Sequence, residues 1–374
     1  MAIDGMKAMV LAAGVGSRLD PLTRQQPKPL VPIANRPVME HILCLLRRHG
    51  VSDVISNLHH LPEKVPAYFG DGGDLNVHLQ YKTETKLTGD AGGVRACRSH
   101  FHGGDTFLVI MGDLVTDADL SYVIQQHKSK GALATIALQK VSDVSRFGVA
   151  VLDDDSLITG FQEKPNADEA ISDLASTGIY VLEPEIFKYM PLEGELGFGR
   201  QLFPRLVAMG LPVLGVQIYG YWSDIGTLAD YKRVNFEALD GLMDLDLPGV
   251  RTNFGWEGAH STIAQSCRVE GTLMLGTNSH IEESAVIRGR VIIGDNCRIG
   301  RGAILENCII WSGSDIGQGA RIFDAVIGKD CSIAGRSIIS HDVAVGPLKL
   351  VPHVNRSTAA SIKPSRDLSR ELAS

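Results

Sequence analysis

Apolar residues follow two different periods along this chain, and the first period occupies residues from Lys7 to about Ile225. Short β-rich runs such as KAMVLAA, DVISNL and TFLVIMG alternate with helix-like segments such as PVMEHILCLLRRHG. In that segment Val38, Ile42 and Leu45 recur on one helical face, which predicts a helix packed on a core. Alternating strands and helices predict an α/β domain with a mostly parallel sheet covered on both faces.

The second period begins at Ile263. A large apolar residue stands at every sixth position from Ile263 to Trp311, and the register then slips by one and resumes at Ile316. A short repeat of this kind predicts a solenoid of stacked coils. The pattern resembles the hexapeptide repeat of left-handed parallel β-helices, in which three hexads form one coil.

The change of period divides the chain. Pro248 and Gly249 mark the boundary, so we expect a first domain over 1–245, a β-helix over 250–345 and a polar tail over 346–374. Three cysteines each stand four residues after an apolar anchor, where the repeat places small inward-facing side chains. We expect them to pack in the β-helix interior: Cys267, Cys297 and Cys331.

Composition narrows the range of functions. The chain has 374 residues, of which 44% are hydrophobic, with a formal net charge of -7. No overall basic field would attract nucleic acid or an anionic membrane, so any phosphate site must be local. No apolar run reaches the ~18 residues of a membrane span, and the expectation is a cytoplasmic protein. Its six cysteines include no CxxC pair, so neither a zinc site nor a disulfide framework is indicated.

A glycine-rich string, GVGSRLDPLT, starts at Gly14 directly after the first strand and is followed by PKPLVP. Gly14 and Gly16 let backbone N–H groups approach a phosphate chain, and Ser17 adds a hydroxyl. Arg18 and Lys28 add positive charge. The string lacks the third glycine of a dinucleotide fingerprint and the Gly-Lys-Ser/Thr ending of a Walker A loop.

The string resembles the signature GxG(T/S)RLxPLTxxxPKPxxP of the nucleoside-diphosphate-sugar pyrophosphorylases, also called sugar-1-phosphate nucleotidylyltransferases. Every fixed position of the signature is matched. The resemblance implies a Rossmann-like catalytic domain that joins a nucleoside triphosphate to a sugar 1-phosphate and releases pyrophosphate. It also implies a set of nucleotide-binding residues: Leu11, Ala13, Gly14, Gly16, Ser17, Arg18, Glu84 and Gly89.

Two aspartates match the family's metal ligands. Asp113 follows the strand TFLVIMG, at the sheet edge where parallel sheets bind ligands. Asp224 lies in GYWSDIGT and resembles the partner aspartate of the magnesium site. Two carboxylates with phosphate oxygens suit a hard octahedral cation, so Mg²⁺ is the expected cofactor.

Three further elements match the family's sugar-phosphate site. The EKP element contributes Glu163, expected to contact sugar hydroxyls, and Lys164, expected to contact the sugar phosphate. The segments FGV and STGIY complete the set with Gly148, Ser176, Thr177 and Gly178. Relatives usually carry Asn where this chain has Ser176, which bears on the identity of the sugar.

The implied reaction is in-line attack by a sugar-1-phosphate oxygen on the α-phosphorus of the nucleotide. Repulsion between two polyanions is the main obstacle, so cations matter more than proton transfer, and the ionised nucleophile needs no general base. We expect Arg18 to hold the β- and γ-phosphates and Lys28 to stabilise the α-phosphate. These two residues, with Asp113 and Asp224, form the expected catalytic set.

Base selection centres on Glu84. A carboxylate can accept hydrogen bonds from both N1–H and the 2-amino group of guanine, whereas uracil and thymine suit an amide. This favours GTP, and with a β-helix of this length the chain resembles mannose-1-phosphate guanylyltransferases. A glucose-1-phosphate uridylyl- or thymidylyltransferase is the alternative.

Two further functions remain as alternatives, an acyltransferase and a regulatory subunit. Hexapeptide β-helices also make acyltransferases with a histidine base, for which the candidates here are His260, His280 and His341. The superfamily also includes inactive regulatory subunits, although Arg18 and Asp113 are present. The exposed ends of this short solenoid must be capped, and we expect homo-oligomerisation to cap them.

Overall fold

A computed structural model describes residues 5–101, 103–341, 344–345 and 355–356. The described chain forms two compact units. The first comprises the residues up to Val15 and Val38–Asp224, and the second comprises Gly16–Pro37 and the described residues from Ile225 onward. The polar tail predicted over 346–374 lies outside the described residues, apart from the backbone at 355–356.

Nineteen strands and α-helices precede residue 240 in the described chain, and β2, β3 and α6 among them belong to the second unit. In chain order they are β1 (Lys7–Leu11), β2 (Pro32–Ile33), β3 (Arg36–Pro37), α1 (Val38–Arg48), β4 (Asp53–Leu58), α2 (Lys64–Phe69), β5 (His78–Thr83), α3 (Asp90–Ala96), β6 (Phe107–Met111), β7 (Leu114–Thr116), α4 (Leu120–Lys130), β8 (Ala134–Lys140), β9 (Gly148–Leu152), β10 (Ile158–Glu163), β11 (Leu174–Leu182), α5 (Phe203–Ala208), β12 (Val213–Gln217), β13 (Trp222–Asp224) and α6 (Leu228–Leu239).

The first unit is built on a nine-stranded sheet. Seven strands follow the order β10–β9–β11–β6–β1–β4–β5, while β8 pairs with β11, and β12 pairs with β8. The strands β1, β4, β5 and β6 are parallel, as the sequence predicts. The structure adds an antiparallel portion, because β11 runs against β6, β8 and β9. On α1 the predicted apolar face, including Val38, Ile42 and Leu45, is buried.

One edge of this sheet collects the segments that carry candidate chemistry. The carboxyl ends of β1, β4, β5 and β6 lie along it because these strands are parallel. The pairing of Ile179 with Ile110 brings the first half of β11 to the same edge. A short two-stranded sheet of β7 and β13 pairs Asp224 with Leu114. The residues after β6 therefore lie beside β13.

The second unit continues with fifteen short strands. The first runs antiparallel to the second, and parallel pairing of the others builds the β-helix. The fifteen strands are β14 (Val250–Thr252), β15 (Gly255–Glu257), β16 (Thr262–Ile263), β17 (Arg268–Leu275), β18 (His280–Ile281), β19 (Val286–Ile293), β20 (Arg298–Ile299), β21 (Ile304–Ile310), β22 (Asp315–Ile316), β23 (Arg321–Phe323), β24 (Val326–Ile327), β25 (Ser332–Ile333), β26 (Ile338–Ser340), β27 (Ala344–Val345) and β28 (Asn355–Arg356).

The register of these strands confirms the hexapeptide interpretation. Ile263 pairs with Ile281, and Leu275 pairs with Ile293, so three hexads make one coil. The anchors from Leu275 to Ile339 form one buried cluster in which Cys297 and Cys331 are members and Cys267 packs at its border. Burial raises the pKa of the Cys297 thiol to about 11, which suits a packing role.

The predicted anchor at Trp311 is wrong by one position. The register already shifts inside β21, beside Asn307, so Ile310 pairs with Ile293 and fills the interior. Trp311 is displaced to the outside of the coil, where its Nε1 donates to the hydroxyl of Tyr231 at 2.8 Å. A tryptophan with a polar N–H finds a hydrogen-bond partner there that the apolar interior lacks.

The helix α6 and the segment Gly16–Pro37 pack with the β-helix in the second unit. The predicted division at residue 245 had placed both in the first domain. The domain limits of 1–245 and 250–345 themselves stay a prediction. None of the helices in the part of the chain that the structure describes combines the length and the apolar character of a membrane span.

Candidate active site

A cavity of about 210 Å³ in the first unit brings together all of the predicted metal and sugar-phosphate residues. Its volume suits part of a small polar substrate. Eight residues singled out from the sequence line it: Asp113, Gly148, Glu163, Lys164, Ser176, Thr177, Gly178 and Asp224.

Asp113 directly precedes β7, and Asp224 is the last residue of β13, the strand that pairs with β7. Asp224 pairs with Leu114, the residue that follows Asp113. Arg146 donates from Nη2 to Asp224 Oδ1 at 3.0 Å. Among the described residues, no group of three or more His, Cys, Asp or Glu side chains is arranged to hold a metal ion. A divalent cation would therefore need further oxygen ligands, from phosphate or water, besides these two carboxylates, and such an all-oxygen set fits Mg²⁺.

Glu163 ends β10 with its carboxylate between two glycines. A Cβ added at Gly148 would stand 2.8 Å from Glu163 Oε2, and one added at Gly199 would collide with the same oxygen. Burial raises the pKa of the Glu163 carboxyl, Lys164 opposes the shift and Asp90 adds to it. The two glycines make the space that this carboxylate occupies.

Lys164 adopts a left-handed backbone conformation with φ of 50°. Such a value is uncommon for a residue with a Cβ and often marks a functional site. Its backbone N–H donates to the carbonyl of Phe147 at 3.0 Å, one residue before Gly148. This bond ties the EKP element to the segment FGV that the sequence also singled out.

The segment STGIY lies on β11 at the cavity wall. The hydroxyl of Ser176 lies 3.4 Å from that of Tyr180, whose pKa is raised by burial. Thr177 donates its hydroxyl to the carbonyl of Ala137 at 2.8 Å and accepts at its own carbonyl from Trp222 Nε1 at 2.9 Å. Thr177 therefore holds the cavity wall in place, and Ser176 is the more available hydroxyl for a ligand.

Two features of the structure require a glycine at position 178. Its φ is 78°, a left-handed value that favours glycine, and an added Cβ would stand 2.6 Å from Met111 Cγ. Met111 is the last residue of β6 and also lines the cavity. Gly178 thus lets β11 approach the end of β6 just before Asp113.

Sequence reasoning missed three residues around this cavity: Asp90, Gly199 and Arg146. Asp90 accepts from the backbone N–H groups of Ala91 and Phe198, both at 2.7 Å. Burial raises the pKa of its carboxyl. Gly199 lies in a π-helical turn, Phe198–Leu202, a type of turn often found at functional sites. The sequence offered one signal for these residues, namely that Asp90 follows Gly89 at the start of a helix.

Glu84 is buried and its carboxylate already has partners. Asn57 Nδ2 donates to Oε1 at 2.6 Å and Thr88 Oγ1 donates to Oε2 at 3.0 Å. Asn57 Oδ1 in turn accepts from the N–H of Ala12, at 2.9 Å, between the predicted nucleotide residues Leu11 and Ala13. Each oxygen retains capacity for one more hydrogen bond. Base reading by Glu84 stays a prediction.

The predicted nucleotide-binding glycines Gly89 and Gly14 differ in their surroundings. Gly89 has φ of 84°, and an added Cβ would collide with the backbone carbonyl of Leu196. Gly14 is exposed at the end of the first-unit segment that follows β1, and an added Cβ there would meet nothing. Backbone packing therefore explains Gly89, whereas Gly14 keeps its predicted role beside a ligand.

The remaining predicted nucleotide residues, Gly16, Ser17, Arg18 and Lys28, belong to the second unit. Thr23 Oγ1 donates to the carbonyl of Gly16 at 2.8 Å, and an added Cβ on Gly16 would stand 3.2 Å from Lys28 Cβ. Ser17 and Arg18 are exposed, whereas Lys28 is buried. The loop thus folds on itself, so that the Arg18 side chain is exposed and the Lys28 side chain is buried.

The histidines considered for acyl transfer lie in the second unit. His280 Nδ1 lies 2.9 Å from the hydroxyl of Thr262 on an exposed face, and His260 and His341 take left-handed turn conformations. The turn conformations of His260 and His341 are typical of the outer corners of a repeat, whereas His280 lies in β18.

Known proteins match both parts of the chain. The nucleotidyl transferase family model matches residues 7–241, and that of the EIF2B subunit epsilon LbH domain matches residues 253–351. A UTP–glucose-1-phosphate uridylyltransferase from Synechocystis sp. is 38% identical over 87% of this chain and 88% of its own. A mannose-1-phosphate guanylyltransferase from Mycobacterium tuberculosis is 32% identical over 74% of this chain and 75% of its own.

A solved structure from Bacillus anthracis, assigned as a glucose-1-phosphate thymidylyltransferase, superposes with a TM-score of 0.57 at 30% identity. It covers 62% of this chain and 94% of its own. The relatives thus share a reaction type and differ in the base and the sugar.

Proposed function

The chain belongs to the nucleotidyl transferase family and is a sugar-1-phosphate nucleotidylyltransferase, and we propose that it makes GDP-mannose and pyrophosphate from GTP and mannose 1-phosphate. The observation that carries this assignment of roles is the cavity that Asp113, Asp224, Glu163 and Lys164 line together. A carboxylate pair and a sugar-binding pair at one sheet edge fit a reaction between two phosphates.

Each group has a separate task in the proposed reaction. Lys164 balances the charge of the sugar phosphate, and Glu163 accepts hydrogen bonds from sugar hydroxyls. Asp113 and Asp224 would hold Mg²⁺, which supplies positive charge to the phosphate oxygens. Arg18 binds the departing β- and γ-phosphates, and Lys28 stabilises the α-phosphate as the bond to the leaving group breaks.

Three observations support guanine as the base. Glu84 can still accept one hydrogen bond at each oxygen, which matches the two adjacent donors of guanine. Asn57 and Thr88 hold its carboxylate in one orientation. Several relatives from bacteria, archaea, plants and insects carry the name mannose-1-phosphate guanylyltransferase.

A second candidate is a glucose-1-phosphate uridylyltransferase. The observation that favours it is the Synechocystis relative, whose identity of 38% exceeds the 32% of the guanylyltransferase from M. tuberculosis. Ser176 also departs from the Asn that the family resemblance leads us to expect, so we expect the contact to the sugar to differ as well.

A substrate panel separates the two candidates. Purified protein with Mg²⁺ is given GTP, UTP, dTTP or ATP, each with mannose 1-phosphate or glucose 1-phosphate, and pyrophosphate release is measured. The proposal expects the highest kcat/KM for GTP with mannose 1-phosphate. A clear preference for UTP or dTTP with glucose 1-phosphate would establish the second candidate instead.

The assembly and site of action are also proposals. The ends of a short β-helix favour self-association, so we expect a homo-oligomer, and we expect it to act in the cytoplasm. Light scattering coupled to gel filtration tests the assembly, since a monomer across all concentrations would exclude it.

A further inference from the structure

The Gly16–Pro37 segment, which carries Arg18 and Lys28, continues into a hairpin of β2 and β3. The two residues of its turn, Ala34 and Asn35, have φ of 47° and 65°. Left-handed values at both central residues are typical of a type I′ hairpin turn, and asparagine tolerates them. Residues Lys28–Leu30 form a 3-10 turn directly before β2. Lys28 is therefore separated from the hairpin by only a few residues of folded chain.

Both turn residues are bonded to parts of the chain that lie far away in sequence. The N–H of Ala34 donates to Asn235 Oδ1 on α6 at 2.9 Å, across 201 residues. Asn35 Nδ2 donates to the carbonyl of Ile293 in β19 at 2.8 Å, across 258 residues. Asn235 is fully buried, and its Nδ2 donates to the carbonyl of Tyr231. All these groups belong to the second unit.

The helix α6 is itself fastened to the β-helix along its length. Trp311 Nε1 donates to Tyr231 Oη at 2.8 Å, and Lys232 Nζ donates to the carbonyl of Asp324 at 2.7 Å. Near the end of α6, Arg290 pairs with Asp240 at 2.9 Å. The hairpin turn is thus bonded to the β-helix directly through Asn35 and indirectly through α6.

We propose that Asn35 and Asn235 are positioning residues that anchor the phosphate loop to the β-helix, so that the C-terminal solenoid takes part in binding the nucleoside triphosphate. This inference rests on the proposed roles of Arg18 and Lys28. It changes the division of labour expected from the sequence, in which the β-helix only organises subunits. A loop whose hairpin is held at both turn residues keeps its cations in place without relying on the substrate.

Asn35→Gly is the most direct variant, because glycine accepts a φ of 65° while the bond to Ile293 is lost. Asn35→Asp also preserves the turn and removes the donor. The matched control is Asn76→Gly, since Asn76 is an exposed turn residue of the first unit with φ of 56°. Both Asn→Gly changes raise the conformational entropy of the unfolded chain by a similar amount. The two variants therefore differ in the loss of the hydrogen bond between Asn35 and Ile293.

The first readout is the kinetic split between the two substrates. Loss of one hydrogen bond should raise KM for the nucleoside triphosphate about five-fold in both Asn35 variants, with KM for the sugar 1-phosphate unchanged. Asn76→Gly should leave both constants as in the wild type. Unchanged KM for the nucleotide in Asn35→Gly, or an equal rise for both substrates, would overturn the proposal.

The second readout needs no substrate. Trypsin cleaves after exposed arginines, and Arg18 and Arg24 are exposed in the loop. Local opening exposes the backbone to the protease, so cleavage after these two residues should be about five-fold faster in Asn35→Gly than in Asn76→Gly. Equal cleavage rates would overturn the anchor. A protein that turned over no nucleotide–sugar pair would refute the proposed function, while the cleavage rates would still test the anchor.

Discussion

The guanidinium of Arg146 lies against the carboxylate of Asp224, with 3.0 Å between Nη2 and Oδ1. Both side chains are partly exposed, at 34% and 22%. One of the two candidate metal ligands therefore already has a cation beside it. A divalent ion at the same carboxylate would share its charge with Arg146.

Replacement of Arg146 should therefore strengthen metal binding. In Arg146→Gln the competing charge is gone, so the Mg²⁺ concentration for half-maximal activity should fall about three-fold. Arg146→Lys keeps a charge and should resemble the wild type. Activity measured against Mg²⁺ concentration gives the answer, and a higher Mg²⁺ requirement in Arg146→Gln would mean that Arg146 chiefly orients Asp224.

The space beside Glu163 should be essential for the sugar. In Gly199→Ala the new methyl collides with Glu163 Oε2, so the carboxylate must move and KM for the sugar 1-phosphate should rise about ten-fold. Gly197→Ala, two residues earlier, is the matched control, because the atoms nearest to its new methyl would lie 3.7 Å away. Equal sugar affinity in the two variants would show that this carboxylate does not contact the sugar.

Asp90 should make stability depend on pH. Burial raises the pKa of its carboxyl, so the folded protein holds this proton more tightly than the unfolded chain does. Its contribution is most favourable below the ordinary pKa of 3.8 and declines as the pH rises through the raised value.

Asp90→Asn can still accept from Ala91 and Phe198 but cannot ionise. It should raise the melting temperature at pH 7 by about 2 °C, and the difference should shrink towards pH 4. Thermal unfolding followed by circular dichroism at both values measures this. A lower melting temperature at pH 7 would mean that the ionised carboxylate stabilises the fold through its two backbone hydrogen bonds.

Base preference should respond to Glu84. Glu84→Gln keeps an oxygen for the Asn57 bond but replaces one acceptor with a donor, so kcat/KM for GTP should fall about ten-fold relative to UTP. Kinetics with both nucleotides at one saturating sugar phosphate measure the ratio. If the ratio of kcat/KM for GTP to that for UTP did not change, Glu84 would serve only to position Asn57 and Thr88.

The strands, the β-helix and half of the site could be predicted because their signals are local. The strand followed by Gly112-Asp113 and the element that holds Glu163 and Lys164 are short runs of adjacent residues. Parallel pairing then brings strand ends to one edge without further information. The repeat of 18 residues per coil is likewise visible in the spacing of Ile263, Ile281 and Ile299.

The remaining features depend on contacts between distant residues. Asn35 and Ile293 are bonded across 258 residues, and the hexapeptide spacing to which Ile293 belongs gives no sign of a partner outside the β-helix. Arg146 and Asp224 are 78 residues apart in sequence, and no local pattern links them. The register slip was misplaced because Ile310 and Trp311 are both apolar, so either fits the spacing. Only the polar N–H of Trp311, bonded to Tyr231, separates them.

The most direct test of the account is the rate of pyrophosphate release by Asp113→Asn with Mg²⁺ and the best nucleotide–sugar pair of the substrate panel. Asp119→Asn is the control, because Asp119 is exposed and its role at the start of α4, where it accepts from Tyr122, survives the change. We predict a loss of about a thousand-fold in kcat for Asp113→Asn and a normal rate for Asp119→Asn. A near-normal rate for a correctly folded Asp113→Asn would contradict the proposed site.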